Sequence, residues 1–280
     1  MAVSMPLQRL IDTYLQRQID PRPLAAVRIA VGLAGILGAI EVYALGSFVV
    51  APGIIALPMI PGMPRLTPET LPIVVAVWMC AAILVLLGLF MRPAGLFLAG
   101  LIGCVLLSEQ QLYSNHLYLL AIETALIAIG PSDAAWSLAA RGKPAPLRIP
   151  GWSAVLLQLQ ISAVYLYGAL SKLNPVYLSG AVLANQEGVA SLAAAVAGVL
   201  GLTTTMLLIA LAAGAVLIEL LLILFLWQRR LRLLAIPLGL ILHGIIQVSM
   251  GGEASIGIGL IEFMLLMLPP YSLFFAGRND

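Results

Sequence analysis

Lysine occurs at only two positions of the sequence, Lys143 and Lys172, and every other basic side chain is an arginine. Lys143 lies in the polar stretch "RGKPAPLR", whereas Lys172 ends the apolar stretch "YLYGALSKLN". Arginine keeps its proton in proteins, but a lysine in a dry pocket can release one. Lys172 is therefore a candidate general base. The alternative is that its aliphatic stem lies along lipid and its amine reaches the membrane interface.

Three polar residues share one helical face with Lys172. Gln158, Ser162, Tyr165 and Lys172 are spaced at four, three and seven residues, and Gly168 lies on the same side. Such a stripe faces other helices or a cavity. Two interpretations follow: hydrogen bonds between helices, or a polar channel wall that ends at Lys172.

Other ionisable residues also fall within apolar runs, where each charge costs at least about 2.5–3.5 kcal/mol. Arg28 and Glu219 are placed at similar depths and are predicted to form a structural ion pair, with Glu123 as the next candidate partner for the arginine. Glu41 is placed near the outer end of the first span. Glu262 lies midway along the last span, where we expect a neutral, hydrogen-bonded carboxyl group.

The sequence contains two histidines. His116 lies in "LYSNHLYLL" and His243 in "LILHGIIQV", with Gln247 one turn further along. Because no HExxH motif, CxxC motif or carboxylate cluster accompanies them, no metal site is expected. The two cysteines, Cys80 and Cys104, are predicted to be buried free thiols.

The composition excludes a soluble domain. Hydrophobic residues make up 62% of the 280 residues, charged residues only 9%, and the mean hydropathy is +1.08. Soluble domains carry about 25% charged residues. The net charge of +2 is too small to indicate nucleic-acid binding. We therefore expect an all-α, polytopic membrane helix bundle in contact with lipid.

The apolar runs predict about eight transmembrane helices, since a span needs about 20 apolar residues. Residues 1–22 are predicted to form a short amphipathic surface helix, 23–275 a single transmembrane domain, and 276–280 a tail. The apolar stretch "VASLAAAVAGVLG" is too short to span and is predicted to be interfacial or re-entrant. The eight candidates are Pro23–Gly46, Leu71–Met91, Ala94–Ser108, His116–Gly130, Trp152–Leu173, Thr203–Trp227, Leu233–Met250 and Ala254–Phe274.

Basic residues predict the orientation, because they are enriched in cytoplasmic loops. With the N-terminus inside, the outer loops contain only Arg65, while Lys172 lies at the outer end of the fifth span. Both termini are thus predicted to be cytoplasmic, in the cell membrane if the source is prokaryotic. The inner basic residues are Arg9, Arg17, Arg22, Arg92, Arg141, Lys143, Arg148, Arg229, Arg230, Arg232 and Arg278.

Four stretches in order resemble the horizontally transferred transmembrane (HTTM) domain family, whose animal relative is vitamin K-dependent gamma-carboxylase. The resemblance covers most of the chain. The stretches are "DPRPLAAVRIAVGLAGIL", "LYSNHLYLLAIETALIAIGPSDAAWSL", "LLQLQISAVYLYGALSKLNPVYLSG" and "IELLLILFLWQRRLRLLAIPLGLILHG".

The resemblance implies roles for particular residues. Lys172 matches the lysine that is held to deprotonate vitamin K hydroquinone in the carboxylase, and His116 matches a histidine linked to the same chemistry. The leading hypothesis is therefore a membrane enzyme that uses vitamin K hydroquinone or another quinol on the outer, periplasmic or lumenal side. The residues predicted to line its site are Asn115, Tyr165, His243 and Gln247.

Two other functions fit the same sequence. The first is a non-catalytic membrane protein of the same fold that helps the export or maturation of a membrane or exported partner protein. The second is a small transporter, which is the weakest because the sequence shows no inverted repeat or pair of broken helices.

Overall fold

The computed structural model describes residues 17–144, 146–250 and 254–276. Most of the predicted surface helix and of the C-terminal tail lies outside these residues. The described part of the surface helix differs from the prediction. Gln18–Ile19 forms strand β1, which pairs antiparallel with β2, Ile149–Pro150, and Asp20 accepts a hydrogen bond from the Arg22 amide at the start of the first long helix.

The all-α membrane fold is confirmed. Five helices are long and apolar enough to cross a membrane: α1 (Pro21–Val49), α2 (Thr70–Leu87), α3 (Met91–Ser108), α5 (Trp152–Lys172) and α9 (Thr204–Trp227). The other α-helices of the described residues are α4 (Asn115–Ile129), α6 (Pro175–Leu178), α7 (Ala181–Ala184), α8 (Glu187–Leu200), α10 (Arg232–Met250) and α11 (Ala254–Met267). Short 3-10 helices cover Gln110–Leu112 and Pro269–Phe274. The count of eight spans stays a prediction.

The chain divides into two compact units. Unit 1 comprises Met1–Gln158 and Ile261–Asp280, and unit 2 comprises Leu159–Leu260. Helix α5 begins in unit 1 and ends in unit 2, as the unit boundary falls after Gln158.

In unit 1, α1 packs closely against α2 because glycines remove side-chain bulk from the contact. A Cβ added at Gly32 would lie 2.5 Å from the Cα of Leu86, and one at Gly35 would lie 3.0 Å from the Cβ of Ala82. The buried Trp78 indole donates a hydrogen bond of 2.8 Å to the Gly35 carbonyl. Small residues thus bring the two backbones together, as is usual for membrane helices.

Arg28 is fully buried in unit 1, where its guanidinium bonds to backbone carbonyls. Its guanidinium donates to the carbonyls of Val85 and Leu86, at 3.1 and 2.6 Å, and to those of Ser132 and Trp136, at 3.1 and 2.6 Å. Val85 and Leu86 belong to the last turn of α2, where carbonyls have no partner within the helix and carry partial negative charge.

Arg28 belongs to unit 1 and Glu219 to unit 2, so their predicted pair stays a prediction. Four backbone carbonyls satisfy the arginine, and Glu219 has a different cation, described below. The next candidate, Glu123, is fully buried, and neither of its carboxyl oxygens has a hydrogen-bond partner among the described residues.

In unit 2, α8 covers part of α9. Val189, Ala193 and Leu208 form a small buried cluster between them. The helix predicted for the stretch beginning at Val189 is confirmed, and its interfacial or re-entrant placement stays a prediction.

Much of the apolar surface faces outward. Only a minority of the residues of α2 and α9 is buried within the protein, as expected for helices that contact lipid. Cys80 and Cys104 are exposed free thiols on α2 and α3, so the prediction that they are buried is wrong. In a membrane protein an outward-facing apolar position is as hydrophobic as a core position, and hydropathy alone does not separate the two.

Replacing Arg28 with lysine should destabilise the protein. The arginine guanidinium carries its donors in a planar fork, whereas lysine offers three donors from one nitrogen and cannot reach all four carbonyls. Some of the buried carbonyls therefore lose their partner. We expect the free energy of unfolding to fall by at least about 2 kcal/mol, measured by thermal or denaturant unfolding in detergent. Arg22→Lys is the matched control, since Arg22 is exposed. Equal stability of the two variants would contradict this role.

Candidate functional site

Polar side chains of α5 that lie in unit 2 bond to neighbouring helices of that unit. The Trp227 indole of α9 donates to the Ser162 hydroxyl at 2.8 Å. The Tyr165 hydroxyl and His243 Nε2 of α10 are 2.9 Å apart. Gln158, which belongs to unit 1, donates to the Leu273 carbonyl at 2.9 Å. The polar residues of the predicted stripe therefore bond to other segments of the chain. This agrees with the interpretation that they form hydrogen bonds between helices.

Lys172 forms an ion pair with Glu219. Its Nζ lies 2.8 and 3.1 Å from the two carboxylate oxygens and 3.2 Å from the Gly168 carbonyl. The Lys172 side chain is 28% exposed and the Glu219 side chain 11%. The amine is thus partly accessible and hydrogen-bonded on two sides.

Gly168 makes room for this pair. A Cβ at this position would lie 2.9 Å from Glu219 Oε1 and 3.3 Å from its Oε2. Because Gly168 and Lys172 are one turn apart on α5, the carboxylate sits against the helix backbone and reaches the amine from there.

The pair lies well along α9 and not at its end. Glu219 is 15 residues after Thr204, the first residue of α9, which corresponds to about 22 Å of helix. The sequence prediction placed Lys172 at the outer end of α5 and Glu219 at an inner depth, whereas the ion pair brings their charged groups together.

Tyr177 is a further neighbour that the sequence analysis did not find. The Asn174 side chain accepts a hydrogen bond from the Tyr177 amide at 2.9 Å and caps α6, with Pro175 as its first residue. Burial and the negative charge of Glu219 raise the pKa of the Tyr177 phenol. The Asn-Pro pair is a recognisable helix start, but it does not indicate which side chain the following turn contacts.

The predicted lining residues of unit 2 are also brought together. Tyr165 is 2% and His243 is 4% exposed, and their bond joins α5 to α10. Gln247 lies one turn after His243, and its side-chain oxygen is buried without a hydrogen-bond partner among the described residues.

His116 lies in unit 1 beside two carboxylates. Ser114 caps α4 and so places His116 in its first turn. The His116 Nε2 is 2.7 Å from Glu41 Oε2 of α1 and 3.1 Å from the Ser114 hydroxyl. Suitable atoms of His116, Glu41 and Glu262 all lie within 4.8 Å of one another.

Glu262 departs from its expected hydrogen-bonded state. The residue is fully buried, and neither carboxyl oxygen has a hydrogen-bond partner among the described residues. Asn115, the remaining predicted lining residue, is exposed next to His116. Thus His116 and Lys172 each have a carboxylate partner within their own unit.

The profile of the HTTM domain matches residues 16–275. The chain belongs to the HTTM domain family. No curated protein and no solved structure matches it. This HTTM protein is therefore a multi-pass integral membrane protein related to the transmembrane part of the gamma-carboxylase.

Gly168→Ala should weaken the Lys172–Glu219 pair of the HTTM protein. The carboxylate end of Glu219 can move aside, so the fold is retained while the ion pair is lost. We expect the free energy of unfolding to be about 1 kcal/mol below that of the control variant. The control is Gly214→Ala on α9, where a Cβ meets nothing within 4 Å. Equal thermal stability of the two variants would rule out the close approach of Glu219 to α5.

Exchanging the two charges should preserve the pair. Lys172→Glu and Glu219→Lys each place like charges together and should each cost about 1–3 kcal/mol of unfolding free energy. The double variant should recover most of that loss, as measured in a double-mutant cycle in detergent. Lys143→Glu, in an exposed loop, controls for the charge change. Strictly additive losses would show that the two residues do not interact.

Proposed function

We propose that this HTTM protein is a membrane enzyme that acts with a quinol or similar lipid-soluble ligand, in gamma-carboxylase-like chemistry. The observation that carries the proposal is the ion pair between Lys172 and Glu219, at the lysine that matches the catalytic lysine of the related carboxylase. An amine beside a carboxylate, inside an apolar helix bundle and partly accessible, is an arrangement that can move a proton.

Lys172 and Glu219 act together in this proposal. The Lys172 amine donates to Gly168 and to both oxygens of Glu219, so in this arrangement it must pass a proton on before it accepts one from a ligand. Glu219 is the acceptor within reach, at 2.8 Å. Transfer along this contact leaves a neutral amine as the base. The pair thus replaces the isolated, desolvated lysine that the sequence suggested.

The residues of unit 2 fit a quinol head group. A quinol supplies hydroxyl groups that donate hydrogen bonds and a ring that can be oxidised. Gln247 offers a buried acceptor oxygen without a partner among the described residues, one turn from His243. In the proposal, Gln247 and His243 orient one hydroxyl group, and the Lys172 amine removes a proton.

Apolar side chains next to the pair suit a lipid-like ligand. On α5, Leu166 and Leu170 are about half exposed, and on α9 Leu217 and Leu220 are exposed as well. A long hydrocarbon tail would lie against such surfaces as lipid does. The proposal also places the site on the outer, periplasmic or lumenal side of the membrane. It gives His116 an assisting role in the quinol chemistry.

The non-catalytic helper is the second candidate. One observation favours it: in unit 2 the polar side chains of α5 at Ser162, Tyr165 and Lys172 all bond to other helices, as a purely structural network would. In that case the pair of Lys172 and Glu219 only holds α5 against α9.

Lys172→Arg separates the two candidates. Arginine keeps the positive charge that pairs with Glu219 but cannot act as a base. We expect the variant to fold and to consume quinol at a rate at least about 100-fold lower than that of the wild type. The assay follows oxidation of vitamin K hydroquinone and, separately, of menaquinol by the protein in lipid nanodiscs under air. Lys143→Arg, the only other lysine substitution that the chain offers, should match the wild type.

Two outcomes would contradict the enzyme proposal. The first is full turnover by Lys172→Arg, which would exclude the lysine as the base. The second is a wild-type protein that neither binds nor consumes either quinol above the level of empty nanodiscs.

A further inference from the structure

Unit 1 contains a cluster of side chains that the proposed function does not use as a group. Glu41 comes from α1, His116 from the first turn of α4, and Glu262 from α11. We propose that these three residues bind one divalent transition-metal ion, an inference that goes beyond the proposed function. It also departs from the sequence prediction, which expected no metal site.

The geometry suits a small ion. One donor atom from each residue lies within 4.8 Å of the other two, and the closest pair, His116 Nε2 and Glu41 Oε2, is 2.7 Å apart. Neighbouring nitrogen and oxygen donor atoms around a tetrahedral zinc ion are about 3.3 Å apart. The observed separations of the three donors are thus close to that spacing.

Glu262 supplies a second, independent observation in favour of a ligand at this cluster. The residue is fully buried and both of its carboxyl oxygens lack a hydrogen-bond partner among the described residues. These oxygens lie close to α1, since a Cβ at Gly38 would be 3.2 and 3.3 Å from them. A buried carboxyl group without a partner is costly, and coordination to an ion would satisfy it.

The charge balance also favours a cation. Glu41 is 5% exposed and Glu262 is fully buried, so two acidic groups share one small space within apolar helices. His116 can offset at most one negative charge. A divalent ion would neutralise both carboxylates, and its binding would displace the proton that now joins His116 to Glu41.

The donor set indicates which ions fit. One imidazole nitrogen and two carboxylates suit Zn²⁺, Fe²⁺ or Mn²⁺, whereas Mg²⁺ and Ca²⁺ prefer oxygen ligands alone and Cu⁺ prefers sulfur. Three protein ligands leave a coordination position for water or another molecule. The His116 side chain is 17% exposed, which is consistent with access to the ion from that side.

The test measures metal binding directly. The full-length protein, purified in detergent and treated with a chelator, is titrated with Zn²⁺, Mn²⁺ and Co²⁺. Bound metal is measured by mass spectrometry and thermal unfolding is followed with and without each ion. We expect one tightly bound ion per chain and a higher melting temperature. The Co²⁺ form should show the visible absorption of a site with nitrogen and oxygen ligands.

Glu262→Gln and Glu41→Gln should each weaken binding at least tenfold and abolish the thermal shift, because each removes a ligand. Glu123→Gln is the matched control: Glu123 is also fully buried and without a hydrogen-bond partner among the described residues. It lies on α4 two turns from His116, about 10 Å along the helix. This variant should bind like the wild type.

Two results would overturn the proposal. One is a wild-type protein that keeps none of the three ions and gains no thermal stability from them. The other is equal metal binding by wild type and Glu262→Gln. Lys172→Arg should bind the ion normally, so a failure of the quinol assay and a failure of this site can be told apart.

Discussion

The interior of a lipid bilayer contains no water, and this constraint governs every polar residue of the protein. A group that cannot bond to solvent must find its partner within the chain. Arg28 meets the requirement with four backbone carbonyls, two of them from the end of α2. Lys172 meets it with a carboxylate and a carbonyl. These bonds join helices to one another in addition to the apolar packing.

The same constraint makes the exceptions informative. Several buried polar groups lack a hydrogen-bond partner among the described residues. Two of them lie beside a histidine: the Glu262 carboxyl near His116 in unit 1, and the Gln247 oxygen one turn from His243 in unit 2. Buried groups of this kind are usual at sites that bind ligands, where the ligand completes the bonding. The HTTM fold thus offers one candidate position in each unit, with different chemistry.

The interpretation of Lys172 changes most between sequence and structure. Its rarity, its apolar surroundings and its match to the HTTM family pointed to a base that is free of water. The structure instead pairs Lys172 with Glu219, so in the proposed function the proton transfer involves both residues. Gly168, which lies on the same face of α5, explains how the carboxylate approaches so closely.

Hydrophobic runs and helix caps determined where helices form. Lipid offers no hydrogen-bond partner, so the backbone N–H and C=O groups of a chain with so few charged residues must bond to one another within helices. The helix at Trp152–Lys172 and the start of α4 after Ser114 therefore follow from the sequence alone. The sequence alone did not determine which polar side chains pair with each other. The pairing of Glu219 with Lys172 depends on how α5 and α9 pack in unit 2, and the approach of Glu262 to His116 depends on how α11 packs in unit 1. Only the tertiary structure decides such contacts, because side chains that are far apart in sequence meet according to helix offsets that no local pattern encodes.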